Sequence, residues 1–168
     1  MIRFARTLLS FLLVLAFVPA AALAGDLGLR SWGPRVGVSS NPDQIVGGVQ
    51  FDMGEFAEHL RFQPSAEIAF GDHVNTIQAN VMVAYYFPVE SNITPYAGGS
   101  ISAAFYDFSS SCRGFARTFA CDHHDTRIGP VAVGGIETKL SGNRRFLAEL
   151  QLGFADLPDA KIMVGWLF

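Results

Sequence analysis

Cationic residues, cysteine, histidine and tryptophan are all scarce in this chain: 12 Lys and Arg against 15 Asp and Glu, two cysteines, four histidines and two tryptophans in 168 residues. A formal charge of −3 gives nothing that invites nucleic acid. Beyond residue 24 there is no run of 18 apolar residues, so no helical membrane span is available there. Amphipathic helices are lacking too, because glycine and β-branched residues are spread throughout and apolar residues recur at period two rather than 3.6. No G-x-S-x-G, H-E-x-x-H or P-loop occurs, and Ser109, Ser110 and Ser111, near His123 and His124, match no hydrolase spacing.

What the chain does contain begins with an export signal. Arg3 and Arg6 precede an apolar run from Leu8 to Val18, interrupted only by Ser10, and Ala22-Leu23-Ala24 follows Pro19. A charged segment, an h-region of 11 residues and an A-x-A site predict a cleavable signal peptide over 1–24 and a mature domain over 25–168. The run is too short for an anchor helix, and no cysteine follows the cleavage site to carry a lipid. Loss of Arg3 and Arg6 leaves ten of the 12 basic residues against 15 acidic ones, a formal charge of −5. Cys112 and Cys121 both fall in the exported part, where oxidation is permitted, and are expected to form a disulfide.

Eight alternating segments run along the mature chain, near 29–38, 44–53, 60–70, 74–87, 95–107, 127–140, 145–154 and 160–168. In "TIQANVMVAYYF", Ile77, Ala79, Val81, Val83, Tyr85 and Phe87 share one face, while Gln78, Asn80, Met82, Ala84 and Tyr86 share the other. "LRFQPSAEIAF", "RFLAELQLGF" and "KIMVGWLF" repeat the pattern. The connections are short turn sequences, except "DFSSSCRGFARTFACDHHD", and short connections favour an antiparallel meander, since a parallel crossover needs a dozen residues or more.

A water-soluble barrel buries its apolar face and a membrane barrel reverses it, and on paper the two alternations are identical. Three features favour the membrane. The polar faces are built from small residues, such as Gly98, Ser100, Ser102 and Ala104, with isolated charges instead of a dense Lys and Glu surface. Aromatic residues, among them Trp32, Phe70, Tyr85, Phe87, Phe154, Trp166 and Phe168, stand towards segment ends, as interfacial girdles require. Strands of about nine to eleven residues, tilted near 40°, span roughly 25 Å of hydrocarbon. The expected fold is all-β: an eight-stranded antiparallel up-and-down transmembrane β-barrel with both termini in the periplasm.

The segments "ITPYAGGSISAAFYDF", "GGIETKLSGNRRFLAELQLGF" and "DAKIMVGWLF", after a signal peptide, resemble the small outer-membrane β-barrels of Gram-negative bacteria, the OmpA-like and OmpX-like domains. The resemblance covers essentially the whole mature chain. It implies an outer-membrane location, contact with lipid and lipopolysaccharide, and passage through periplasmic chaperones and the barrel-assembly machinery. Phe168, with Trp166, Val164 and Ile162 at alternate positions before it, matches the terminal signal read by that machinery. The chain departs from the family in having short "SSNPDQ", "GDH" and "ADLPD" connections where long external loops are usual. Pro34, Pro64 and Pro130 fall within strands, where each removes a ladder hydrogen bond, and point to bulges or to a lateral gap in the wall.

By the same parity Arg35, Arg61, Glu67, Arg127, Glu137, Lys139, Glu149 and Lys161 point into the barrel. Eight strands leave an interior only wide enough for side chains, so these charges are expected to pair and plug it. Arg113 and Arg117, inside the loop closed by Cys112 and Cys121, suit phosphates or a carboxylate. Asp122, His123, His124 and Asp125 can ligate metals, but adjacent histidines rarely hold one ion alone, so neither a metal nor a cofactor is assigned. His59 and His73 fall in turns at opposite ends of the barrel. The function read from these residues is a non-enzymatic role in envelope structure or surface interaction. A lipid-modifying barrel enzyme, a narrow solute pore and a soluble lipocalin-like carrier are the alternatives.

Overall fold

The computed structural model describes residues 27–71, 74–107 and 124–168. Nine strands form one antiparallel sheet: β1 (Ser31–Ser40), β2 (Gln44–Asp52), β3 (Glu55–Ala57), β4 (Leu60–Phe70), β5 (Asn75–Tyr86), β6 (Ile93–Asp107), β7 (His124–Lys139), β8 (Arg145–Gly153) and β9 (Ala160–Leu167). The order β2-β1-β9-β8-β7-β6-β5-β4-β3, with β2 pairing also to β4, closes the eight long strands into a barrel. β3 is a short extension of the β2–β4 turn, paired only to β4 through Glu55↔Arg61 and Ala57↔Leu60. One barrel end, the lower, carries Ser31, Asp52, Arg145 and Leu167; the upper end carries Ser40, Phe70, Asp107 and Gly153, the last residues of β1, β4, β6 and β8.

Alternation sorts the side chains as the periodicity requires, and it does so with the apolar set outside. Val81, Ile101, Ile128, Leu150 and Ile162 are exposed on the outer wall, whereas Asn80, Gln78, Gln151, Glu67 and Lys161 are buried inside. Gln50, Gln63, Glu67 and Ser102 are each only 1% exposed, although solvent would normally claim such groups. Apolar residues in the interior gather mainly against β5, β6 and β7, in a cluster of Val74, Met82, Ala84, Tyr86, Tyr96, Ala104, Tyr106, Val131, Val133 and Leu157.

The strand prolines coincide with neither a bulge nor a register shift. Pro34, Pro64 and Pro130 stay in register with Val49, Val81 and Ile101 on one side. On the other side each stands next to the last paired position of its ladder: Arg35 in β1–β9, Ser65 in β2–β4 and Val131 in β7–β8. A residue with no N–H is thus placed where one ladder stops, which removes the cost of the missing donor. Below Pro34 the β1–β9 seam resumes, with Trp32 and Phe168 exchanging backbone hydrogen bonds of 3.4 and 2.9 Å. The wall is therefore closed at this point.

Candidate functional site

The interior carries two tiers of charge. In the middle tier the Arg35 guanidinium donates to Glu149 Oε1 at 2.6 Å and to Gln50 Oε1 at 3.0 Å, and its Nε faces Glu67 Oε1 at an ion-pair distance of 3.5 Å. Lys161 Nζ donates to Glu67 Oε2 at 2.8 Å and to Gln78 Oε1 at 2.9 Å. The second oxygen of Glu149 accepts from the Tyr96 hydroxyl at 2.8 Å, while its first also accepts from Gln151 at 2.6 Å. Gln78 donates on to Asn80, which donates to Ser65 and accepts from Ser102. Two cations, Arg35 and Lys161, thus meet two anions, Glu67 and Glu149. Burial of a charge is tolerable only under such pairing.

Strand register explains how β1 reaches β4. Arg35 lies opposite Gly48, and Gly48 lies opposite Glu67, so the three form one rung across β1, β2 and β4. A Cβ on Gly48 would stand 3.0 Å from Glu67 Cγ. Glycine leaves the floor of the rung empty, and the guanidinium passes over it to the carboxylate.

The lower tier closes the opposite end. Arg145 donates to Asp52 Oδ2 at 2.6 Å, to Glu137 Oε2 at 3.1 Å and to the Ser31 hydroxyl. Arg61 donates to Glu137 Oε1 and to Glu55 Oε1, both at 3.3 Å, and lies 4.1 Å over the Tyr86 ring, whose hydroxyl contacts Gln63. Tyr86 stacks on Tyr96 at 4.8 Å between centroids, joining the tiers. Two buried anions again face two cations, with the exposed Glu55 added at the rim.

Of the eight charges assigned inward by parity, Arg35, Arg61, Glu67, Glu137, Glu149 and Lys161 come together in these tiers. Lys139 does not: it is the last residue of β7, beside the turn into β8, and its side chain is exposed to solvent at the open lower end. Arg127 sits at the upper mouth instead of in the column, paired with Asp125 at 2.8 Å and 5.0 Å from the Tyr106 ring centroid. The tiers also contain Asp52 and Arg145, which the parity reading above does not name, although both follow the inward parity of Gln44, Val46 and Gln50 and of Leu147, Glu149 and Gln151. They stand at strand ends beside turn residues, where charge reads as solvated.

The Asp125 carboxylate, one of the loop groups considered for metal, is engaged by Arg127. His59 lies at the lower end, 3.6 Å from Glu58 and edge-on to Tyr85. Cys112, Cys121, Arg113, Arg117, Asp122, His123 and His73, like residues 1–24, lie outside the described residues. Ile162, Trp166 and Phe168 are exposed on the outer side of β9, with Val164 between them partly covered.

No family model and no curated protein matches this sequence. Solved structures do. Neisserial surface protein A is 13% identical at a TM-score of 0.60, over 82% of this chain and 92% of that one. The Yersinia pestis outer membrane protein Ail, in a phospholipid bilayer nanodisc, is 10% identical at a TM-score of 0.50, over 82% and 97% of the two chains. With its strands closed through β1–β9 and β2–β4, the chain has the fold of the small eight-stranded outer-membrane β-barrels.

Proposed function

We propose that this protein is an outer-membrane barrel with a non-enzymatic role in envelope structure or surface interaction. The observation that carries this reading is the inverted facing: an outer wall of exposed Ile, Val, Leu and aromatic side chains around a self-neutralised interior. Such a wall finds its solvent in hydrocarbon, and such an interior leaves no wide aqueous path. Residues 1–24 direct export, both ends of 25–168 stand on the periplasmic side, and the upper mouth opens outward. The mature protein should stay with washed membranes in carbonate and leave them only in detergent; release by carbonate would restore the soluble carrier.

Periplasmic chaperones and the barrel-assembly machinery are the partners during biogenesis, with Ile162, Val164, Trp166 and Phe168 as the signal. Replacement Phe168→Asp should leave processed but unfolded protein in the periplasm, seen as loss of the heat-modifiable folded band. Unchanged levels of that band in the outer membrane would contradict it.

Surface interaction falls to the loop containing Cys112 and Cys121. A disulfide there closes a loop of about ten residues, worth roughly 2.5–3 kcal/mol on the chain-entropy account. It would hold Arg113 and Arg117 for phosphates of neighbouring lipopolysaccharide or a partner's carboxylate. The barrel wall closes without it. The double substitution Cys112→Ser with Cys121→Ser should leave the barrel inserted but make the loop sensitive to external protease; free thiols in the exported protein would rule the bond out.

A further inference from the structure

The β8–β9 turn does not stand clear of the barrel as a hairpin tip normally would. Leu157 at its centre is 4% exposed and belongs to the same buried cluster as Val74, Tyr106 and Val131 at the upper end of the lumen. Two neighbouring residues with positive φ, Ala155 at 56° and Asp156 at 65°, turn the chain inward. Alanine rarely adopts this left-handed conformation, which persists only where surrounding contacts hold it. The wall is hollowed to receive the turn. A Cβ on Gly129 would lie 3.1 Å from a Leu157 methyl and 2.8 Å from Phe154 O, and one on Gly153 would lie 2.2 Å from Pro158 O.

Backbone bonds anchor the ends of the turn, Gly153 N–H to Asp159 O at 3.2 Å and Phe154 N–H to Pro130 O at 3.1 Å, and two side-chain contacts tie its middle down from outside. Asn41 donates to Asp159 Oδ2 at 2.9 Å across the β1–β9 seam, and Arg127 Nη1 donates to the Asp156 carbonyl at 3.0 Å. Both are solvent-accessible contacts of the kind that hold weakly. An apolar plug in a glycine-lined seat, on a strained backbone, under two weak ties is built to leave as well as to close.

We propose that this turn is a releasable stopper: Leu157 closes the upper mouth, and its release admits water and small solutes to the charge column beneath. The inference goes beyond the envelope role and rests only on the closed barrel, so detergent-folded protein tests it independently of where the barrel resides.

The test places a thiol at Ser102, 1% exposed and opposite Gly129, by Ser102→Cys with Cys112 and Cys121 replaced by serine. Its reaction with a small cationic methanethiosulfonate is compared with that of a thiol placed by Asp156→Cys on the exposed turn. The lumenal thiol should react slowly, and Leu157→Gly should accelerate it by about an order of magnitude, the response expected of a local opening equilibrium. Asn41→Ala, which breaks the tie to Asp159 and replaces neither a residue of the apolar seat nor one in ring contact with it, should accelerate it in the same direction; this variant carries the test if Leu157→Gly fails to give the heat-modifiable band. A Ser102→Cys thiol that reacts as fast as the one on the turn, or at the same rate with the stopper or its Asn41 tie removed, would overturn the proposal.

Discussion

Replacing Glu149 by leucine is expected to destabilise the barrel by about 3–5 kcal/mol, the usual cost of removing one partner from a buried ion pair. Glu149 accepts from three donors, Arg35, Tyr96 and Gln151, and is itself only 3% exposed. Its loss leaves the Arg35 guanidinium with Glu67 at 3.5 Å as its one anionic partner among the described residues, and Glu67 is already engaged by Lys161. Adding Arg35→Met to Glu149→Leu should recover part of the loss, because the uncompensated charge is then gone. Lys139→Leu, at an exposed position outside the tiers, should change stability by no more than about 0.5 kcal/mol. Urea unfolding of the refolded protein in vesicles measures all three. A Glu149→Leu barrel as stable as the Lys139→Leu one would show that the middle tier contributes nothing to the fold.

Introducing arginine on the outer wall carries the second large effect. Val81 is 49% exposed and Leu150 is 47% exposed, both near mid-strand. Val81 stands opposite Pro64 and Ile101, and Leu150 opposite Gly134 and Ile162, so neither has an anionic neighbour on its face. In hydrocarbon an arginine there costs about 2–4 kcal/mol, whereas on a wetted surface it would cost almost nothing. One residue away, Asn80 and Gln151 face the interior: serine at Gln151 gives up one buried hydrogen bond and should cost about 1 kcal/mol, and serine at Asn80, whose amide meets Gln78, Ser65 and Ser102, should cost more than that. Folding yield into vesicles, followed by gel mobility, ranks the four. Equal tolerance on the two faces would place water outside the barrel.

Most of the barrel was legible because a strand of period two in a closed sheet has only two faces, and the choice between them is made once for the whole chain. The limits of β4, 60–70, and the start of β2 at Gln44 match the alternation directly. Less legible were the places where alternation is not the governing constraint. β1 begins two residues later than its apolar pattern, because Leu29 and Arg30 precede the first pair, Ser31↔Asp52. β6 and β7 run longer than their apolar cores, since polar ends such as Asp125 and Thr126 still pair across the sheet with Tyr106 and Phe105. The prolines read as faults in the wall because sequence shows that an N–H is missing but not which ladder ends beside it.

The lower tier was hidden for a related reason. Asp52 and Arg145 sit at the last turns of their strands, where the same residue types elsewhere are solvated. Only the closure of the barrel brings Arg145 from β8 to Asp52 on β2. The infolding of Leu157 had no signal in the alternation at all. "ADLPD" reads as an ordinary turn, and its left-handed residues are an alanine and an aspartate where the rule would look for glycine.

The central claim is that the exposed apolar wall meets lipid, and the wild-type chain carries its own probes for it. Its two tryptophans, Trp32 and Trp166, both lie on the outer wall, 52% and 40% exposed, on β1 and β9 near the lower end. Intrinsic fluorescence of the refolded protein should be measured in vesicles whose acyl chains carry bromine close to the headgroup, and in matched vesicles without it. Blue-shifted emission, quenched by the brominated chains and protected from aqueous acrylamide, is the result expected of side chains in the membrane interface. Red-shifted emission that acrylamide quenches and brominated lipid leaves untouched would contradict the account.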